Sequence, residues 1–290
     1  MEEKKFIGMG NDYMFRAVLQ KSDKILKHLL ATLLELDMSE IDSCVILNPI
    51  ELGSSIDAKD CVLDIKLRLN DKSIINIELQ MYFEEYWVPR SLLYWARAYD
   101  SLKEGEGYEL LKHTCHIGIL NHTLFKDHPE FYADYRILNS KDHYPYGDVL
   151  SIKVLDLSLL DELSPDVESE HPELVRWARI FRAKTLQEIK SLTFGEEALE
   201  NMELILAQMS EEEKIREQCF AREDYERRMS SMHASGFSQG LELGISQGIS
   251  QGISQGRISQ LVDLVNDGLL SLANAASSAN MTEEDFSKLL

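Results

Sequence analysis

Two neighbouring stretches, DCVLDIKLRL at 60–69 and SIINIELQMY at 73–82, alternate apolar and polar residues with a period of two. Between them lie three turn-forming residues, Asn70, Asp71 and Lys72. Successive strand side chains point to opposite faces, so this pattern commits the chain to a hairpin with two different faces. Leu63, Ile65, Leu67 and Leu69 share one face with Ile75, Ile77 and Leu79; Asp64, Lys66 and Arg68 share the other with Asn76, Glu78 and Gln80. A loop centred on Asp71 sets residue 64 opposite residue 78, and directly opposed Cβ atoms lie about 4.5–5.5 Å apart. Two carboxylates that close repel one another, and a hard cation between them reverses the sign because it takes carboxylate oxygens. The polar face therefore has two readings: a divalent-metal site built on Asp64 and Glu78 with Gln80 one step along, or a surface that merely meets water.

The rest of the chain supplies a mixed set of elements. Residues 12–19 and 22–36 have helical periodicity, with Ser22 as an N-cap and Ile25, Leu26, Leu29, Leu30, Leu33 and Leu34 on one side. Residues 43–51, 113–121 and 149–157 have strand character, and the Pro- and His-containing stretch between the last two has no regular pattern. Pro89 suits the first turn of a helix over about 88–102. His113 and His116 are three apart on a strand, hence on opposite faces, which makes them structural residues rather than a ligand pair. Beyond Leu160 the texture becomes charged and helical over 172–190 and 196–230. This gives a core over 1–160, a helical extension over 161–232 and a tail over 233–290.

Charge restricts the partners. The formal net charge is -20, with 18 Lys and Arg against 26 Asp and Glu in residues 1–160, and 12 against 24 in residues 161–290. Nucleic-acid affinity is dominated by cations on phosphates, so any DNA binding by this chain is expected to be weak or to need a divalent metal bridging like charges. Lys59, Lys66, Arg68, Lys72, Arg90 and Arg97 supply a local basic rim. Cys44, Cys61, Cys115 and Cys219 are scattered and form no CxxC pair, which points away from zinc and disulfides and towards a reducing cytoplasm. No apolar run reaches the roughly 18 residues of a membrane span, and the first residues lack a signal-peptide pattern.

Three segments, NDYMFRAVL at 11–19, LDIKLRLNDKSIINIELQ at 63–80 and PRSLLYWARAYDSLKEGEGYELL at 89–111, together resemble the recombination-promoting nuclease and transposase family of the PD-(D/E)XK nucleases. The resemblance covers about half the chain and rests on the order of an Asn-Asp-x-x-Phe opening, an Asp strand, a Glu-x-Gln strand and an Arg-x-x-x-Tyr helix. It implies an α/β, restriction-endonuclease-like core, a mixed sheet flanked by helices, with a helical C-terminal extension. It also implies DNA cleavage dependent on Mg²⁺ or another divalent cation. On this resemblance Asp64 and Glu78 are the metal-binding carboxylates, and Gln80 stands where the wider superfamily has lysine. An amide can hydrogen-bond but brings no charge, so slow or conditional catalysis is expected, and an idle DNA-binding or protein-interaction scaffold is the alternative. Asp12 matches an acidic residue near the first helix, or else serves as an N-cap. Arg90 and Tyr94 are four apart on one helix face; they contact DNA, or else Tyr94 is core and Arg90 pairs with an acid such as Glu85.

The tail holds ISQGISQGISQG at 245–256, and Gly236, Gly240, Gly244, Gly248, Gly252 and Gly256 recur every four residues. Each interior glycine costs a helix about 1 kcal/mol relative to alanine. Ile245, Ile249 and Ile253 repeat at the same spacing, which favours helix self-association into a homo-oligomer over a flexible linker. Ile258–Leu270 has amphipathic character, and MTEEDFSKL at 281–289 opens as a short capped helix.

Overall fold

A computed structural model describes residues 6–50, 65–102 and 104–290. Asp64 and the other residues at the start of the expected strand 60–69 therefore lie outside the described residues. The hairpin is present from β2 (Ile65–Leu69) into β3 (Ser73–Gln80), paired antiparallel with Ile65 opposite Ile77 and Leu69 opposite Ser73. This is the register that a loop centred on Asp71 demands. The turn places Asn70 and Asp71 at positive φ, 50° and 53°, a region that Asn and Asp tolerate better than other side-chain-bearing residues. Asn70 is fixed at both ends of its amide: Nδ2 donates to Glu40 O at 2.6 Å and Oδ1 accepts from Ser43 N at 3.0 Å.

Outside this hairpin, β1 (Cys44–Ile46) pairs antiparallel with β2. It is shorter than the expected 43–51 because Asn48 breaks the ladder: its side-chain oxygen, not a backbone carbonyl, accepts from Lys66 N at 2.9 Å, and Pro49 has no donor to offer. On the other side β4 (His113–Leu120) runs parallel to β3, and β6 (Leu150–Asp156) runs parallel to β4. A short antiparallel edge strand, β5 (Tyr132–Tyr135), completes the order β1-β2-β3-β4-β6-β5. Sequence periodicity missed β5, since four residues carry too little alternation to stand out from an irregular stretch.

Helices cover both faces, as a parallel sheet requires. On one side α1 (Asp12–Lys21) and α2 (Asp23–Leu34) bury Phe15, Leu19, Leu26 and Leu29 against Ile75, Ile77, Ile117 and Ile119. Ser22 caps α2, accepting from Ile25 N. On the other side α3 (Trp87–Tyr99) packs Trp87 against Leu120, Ala133, Ile152 and Val154. The central strand is consequently buried at six consecutive positions, Ile74 through Leu79.

The later helices, α4 (Pro165–Glu170), α5 (Pro172–Arg182), α6 (Leu186–Thr193), α7 (Met202–Glu211) and the start of α8 (Glu213–Asn266), join the same core. Trp177, Phe181, Ile189, Leu206, Ile215 and Cys219 are all buried in it. Residues 1–228 and 229–290 are separate compact units. In the second, α9 (Leu272–Ser278) and α10 (Glu283–Ser287) bury Ala275, Ala276 and Phe286 beside Leu261, Val262 and Val265. Thr282 caps α10 by accepting from Asp285 N. The glycine repeat is helical throughout, with open space at each glycine, and Phe237, Leu241, Ile245, Ile249 and Ile253 are exposed. Among the described residues no helix is long and apolar enough to cross a membrane.

Candidate active site

The period-two alternation of β3 sends Asn76, Glu78 and Gln80 towards α3. Asn76 and Glu78 are not solvated, 6% and 4% exposed, and Gln80 is half-buried. The parallel register sets Asn76 beside His116, Glu78 beside Gly118 and Gln80 beside Leu120. Gly118 is there because nothing larger fits: a Cβ would stand 2.2 Å from Cζ2 of Trp87. The indole thus fills the space next to Glu78 and keeps water from it. His116 is fully buried, 5.8 Å from the Trp87 ring centre, with Nε2 3.6 Å from Glu78 Oε2. Its Nδ1 is 3.1 Å from Asn76 Nδ2. The two side chains share this hydrogen bond, whose direction depends on the tautomer of the ring.

From α3 Arg90 reaches down onto this face. Its guanidinium contacts Glu78 Oε1, Gln80 Oε1 at 3.3 Å and Glu84 Oε2 at 3.4 Å, and lies 5.9 Å above the Tyr94 ring. Three oxygens from three residues thus converge on one cation, while the buried Glu78 Oε2 accepts no hydrogen bond. In donor type this set suits a hard divalent ion, which takes carboxylate and amide oxygens. Among the described residues no group of three or more His, Cys, Asp and Glu is arranged to hold a metal. The expected partner carboxylate, Asp64, lies outside them.

Asp12 is not the N-cap of its helix. The N-cap of α1 is Asn11, whose side chain accepts from Met14 N at 3.1 Å. Asp12 follows it as the first helical residue; Oδ1 accepts from Tyr13 N at 2.7 Å and Oδ2 from Arg222 Nε of α8. Arg222 also pairs with Glu226 at 3.3 Å. Burial, and then the neighbouring Asp12 charge, push the Glu226 carboxyl up to about 8. Burial and Glu226 raise the nearby Tyr82 phenol too, so this acidic cluster stands beside the end of β3.

The structure thus brings together Glu78, Gln80, Arg90 and Tyr94, and puts Asp12 with Arg222 and Glu226. Arg90 pairs with Glu78 and Glu84 rather than with Glu85. Tyr94 is half-buried, between Arg90 and His116 at 6.5 Å. His113 and His116 take opposite faces, and His116 shares the face of Asn76 and Glu78. Only the β3–β4 register reveals this. Glu84, Trp87 and Arg222 carry no sequence signal beyond their residue type.

A mixed sheet with a buried glutamate on a hairpin strand, a glutamine two residues on and an arginine-bearing helix above them defines a nuclease-type α/β core. Residues 9–235 match the family model of the PD-(D/E)XK nuclease family transposases, and the chain belongs to that family. The match ends one residue before the first repeat glycine, Gly236. No curated protein and no solved structure matches the chain.

Proposed function

We propose that the protein is a divalent-cation-dependent DNA endonuclease acting through Glu78. The observation that carries this reading is a buried carboxylate whose oxygen, with those of Gln80 and Glu84, surrounds a cationic group. Asp64 and Glu78 would hold the ion, Mg²⁺ or a similar one, with oxygen donors. When bound, such an ion supplies Lewis-acid polarisation of the phosphoryl group and lowers the pKa of water. The remaining work falls to the chain. His116, fully buried with its Nε2 3.6 Å from Glu78 Oε2, walls the carboxylate on one side. Trp87 keeps the site dry, which strengthens every charge interaction there. Gln80 orients by hydrogen bonding what a lysine would also stabilise by charge. Arg90, once an ion takes its place at Glu78, is available to a phosphate oxygen. Tyr94 holds the guanidinium over its ring.

The test is nicking of supercoiled plasmid with Mg²⁺, Mn²⁺, Ca²⁺ or EDTA. Asp64→Ala and Glu78→Ala should each abolish cleavage while the protein stays folded, and wild-type nicking by Glu78→Ala would refute the assignment. A second reading, an idle transposase-like scaffold, is favoured by Arg90 already neutralising Glu78 and by Gln80 in the lysine position. It predicts no cleavage under any metal. We further propose that the exposed Ile245, Ile249 and Ile253 beside open glycines support homo-oligomerisation through the tail. Several buried isoleucines at about 25 cal/mol per Å² would offset the glycine cost. A truncation ending near Met232 should then keep the fold of the core and lose self-association, and light-scattering masses of one chain for both proteins would leave the tail a linker.

A further inference from the structure

Immediately beyond the C-terminal ends of the parallel strands β3 and β4 lies an open cleft of about 570 Å³, lined by Phe83, His122, Thr123, Lys126 and Pro129. Ligands of open α/β sheets bind outside the carboxyl ends of strands, and the volume falls within the range of about 300–1,000 Å³ that small-ligand sites occupy. The cleft adjoins the candidate active site. Asn121 N donates to Gln80 O at 2.9 Å, tying the segment that carries His122 to the last residue of β3. Burial lowers the His122 pKa, the charges of Asp156 and Glu84 partly oppose it, and Glu84 also pairs with Arg90, which contacts Glu78.

Its chemistry is unusual in two respects. Phe83 is 67% exposed yet stands edge-on to the His122 ring at 5.2 Å, leaving the remainder of a large aromatic surface open. His122 is half-buried, and neither ring nitrogen has a hydrogen-bond partner. Burial lowers its pKa below the ordinary histidine value, which favours the neutral ring with one donor and one acceptor, and both nitrogens are buried as well as unpaired. A buried polar group left unsatisfied is costly, and a ligand that pairs with it recovers that cost.

The geometry points to this cleft as the seat of one unpaired base of the nucleic acid whose backbone crosses the Glu78 site. Phe83 stacks on the base, His122 pairs with its polar edge and Lys126 meets an adjoining phosphate. An unpaired base fits better than a duplex on two grounds. The stacking surface is useless to a base whose faces are covered by its neighbours. The chain's net charge of -20 and the single lysine of the cleft make phosphate-driven duplex binding poor. Aromatic stacking, by contrast, is open to every base and depends little on charge. Substrates with unpaired nucleotides, such as single strands, flaps or melted junctions, would thus be preferred over continuous duplex.

This inference rests on the nuclease reading, and the experiment separates the two. Fluorescence anisotropy of the full chain is measured with Ca²⁺ on a short labelled single strand and on the duplex of the same sequence. The single strand should bind about tenfold tighter, an amount one stacked base supplies. Phe83→Ala should bring single-strand affinity down to the duplex level, Phe83→Trp should keep it, and His122→Phe should weaken it in part. Both sites tolerate change because Phe83 is exposed and His122 makes no hydrogen bond to lose. Wild-type affinity in Phe83→Ala, or no preference for the single strand, overturns the cleft assignment. If the protein also nicks plasmid with Mg²⁺, the nuclease reading survives that result. Binding of neither form, together with no nicking, overturns both.

Discussion

Replacing Arg90 by alanine isolates the most consequential contact in the molecule. The guanidinium is the cation facing Glu78, whose carboxylate is 4% exposed. Removing one partner of a buried ion pair leaves an uncompensated charge and costs about 3–5 kcal/mol. The Arg90 side chain is 30% exposed, so solvent screens part of the pair and about 3 kcal/mol is the figure to expect for Arg90→Ala. In the double variant Glu78→Gln/Arg90→Ala no buried charge remains, and the loss should shrink to about 1 kcal/mol, a coupling of about 2 kcal/mol. Urea unfolding followed by tryptophan fluorescence suits the purpose, since Trp87, Trp95 and Trp177 all lie in the unit spanning residues 1–228. The midpoint should move at constant slope. Saturating Mn²⁺ should then raise the midpoint more in Arg90→Ala than in the wild type, because the ion no longer competes with the arginine. A loss below about 1 kcal/mol for Arg90→Ala would refute the energetic argument, and a larger Mn²⁺ effect in the wild type would refute the competition.

Gln80→Lys should retain or raise metal-dependent nicking, and its complete loss with intact metal binding would give the amide a specific role of its own. Gly118→Ala should cost at least about 1–3 kcal/mol, because the new methyl meets the rigid, buried Trp87 ring at 2.2 Å; an unchanged urea midpoint would contradict that packing. Glu226 has its folded pKa raised from 4.5 to about 8, chiefly by burial. Its stabilising contribution is therefore complete below the unfolded value and is lost as pH rises through about 8. Glu226→Gln should gain on the wild type in melting temperature between pH 5 and 9, and a difference independent of pH would show that the carboxyl is not raised.

Much of the hairpin was legible because two independent signals coincided there. Period-two alternation set the faces, and the Asn70–Asp71 turn set the register to Ile65 opposite Ile77. What periodicity could not tell was the environment of the polar face. Asn76, Glu78 and Gln80 would read the same under water as under α3, and only the arrival of Trp87 over Gly118 makes Glu78 buried. The surroundings of His116 were hidden for a related reason: strand spacing fixes which face a residue takes, whereas the pairing of β3 with β4 fixes what that face looks at. The partner of Asp12 could not be foreseen because Arg222 is 210 residues away in the chain. No local pattern encodes such a pairing. The continuous helix through the glycine repeat likewise runs against local propensity.

The two ends of the sheet bear on how copies of this protein can meet. Its edge strands are short, three residues in β1 and four in β5. In β5 Asp134 is engaged by Arg136 at 2.8 Å and by Lys153 at 3.2 Å. Short edges, the β5 one also charged, give an incoming strand little ladder to extend. Among the described residues, then, growth by strand addition is blunted at both margins. Any assembly of this chain must be written in side-chain packing rather than in shared backbone hydrogen bonds, and so should dissociate without unravelling the sheet.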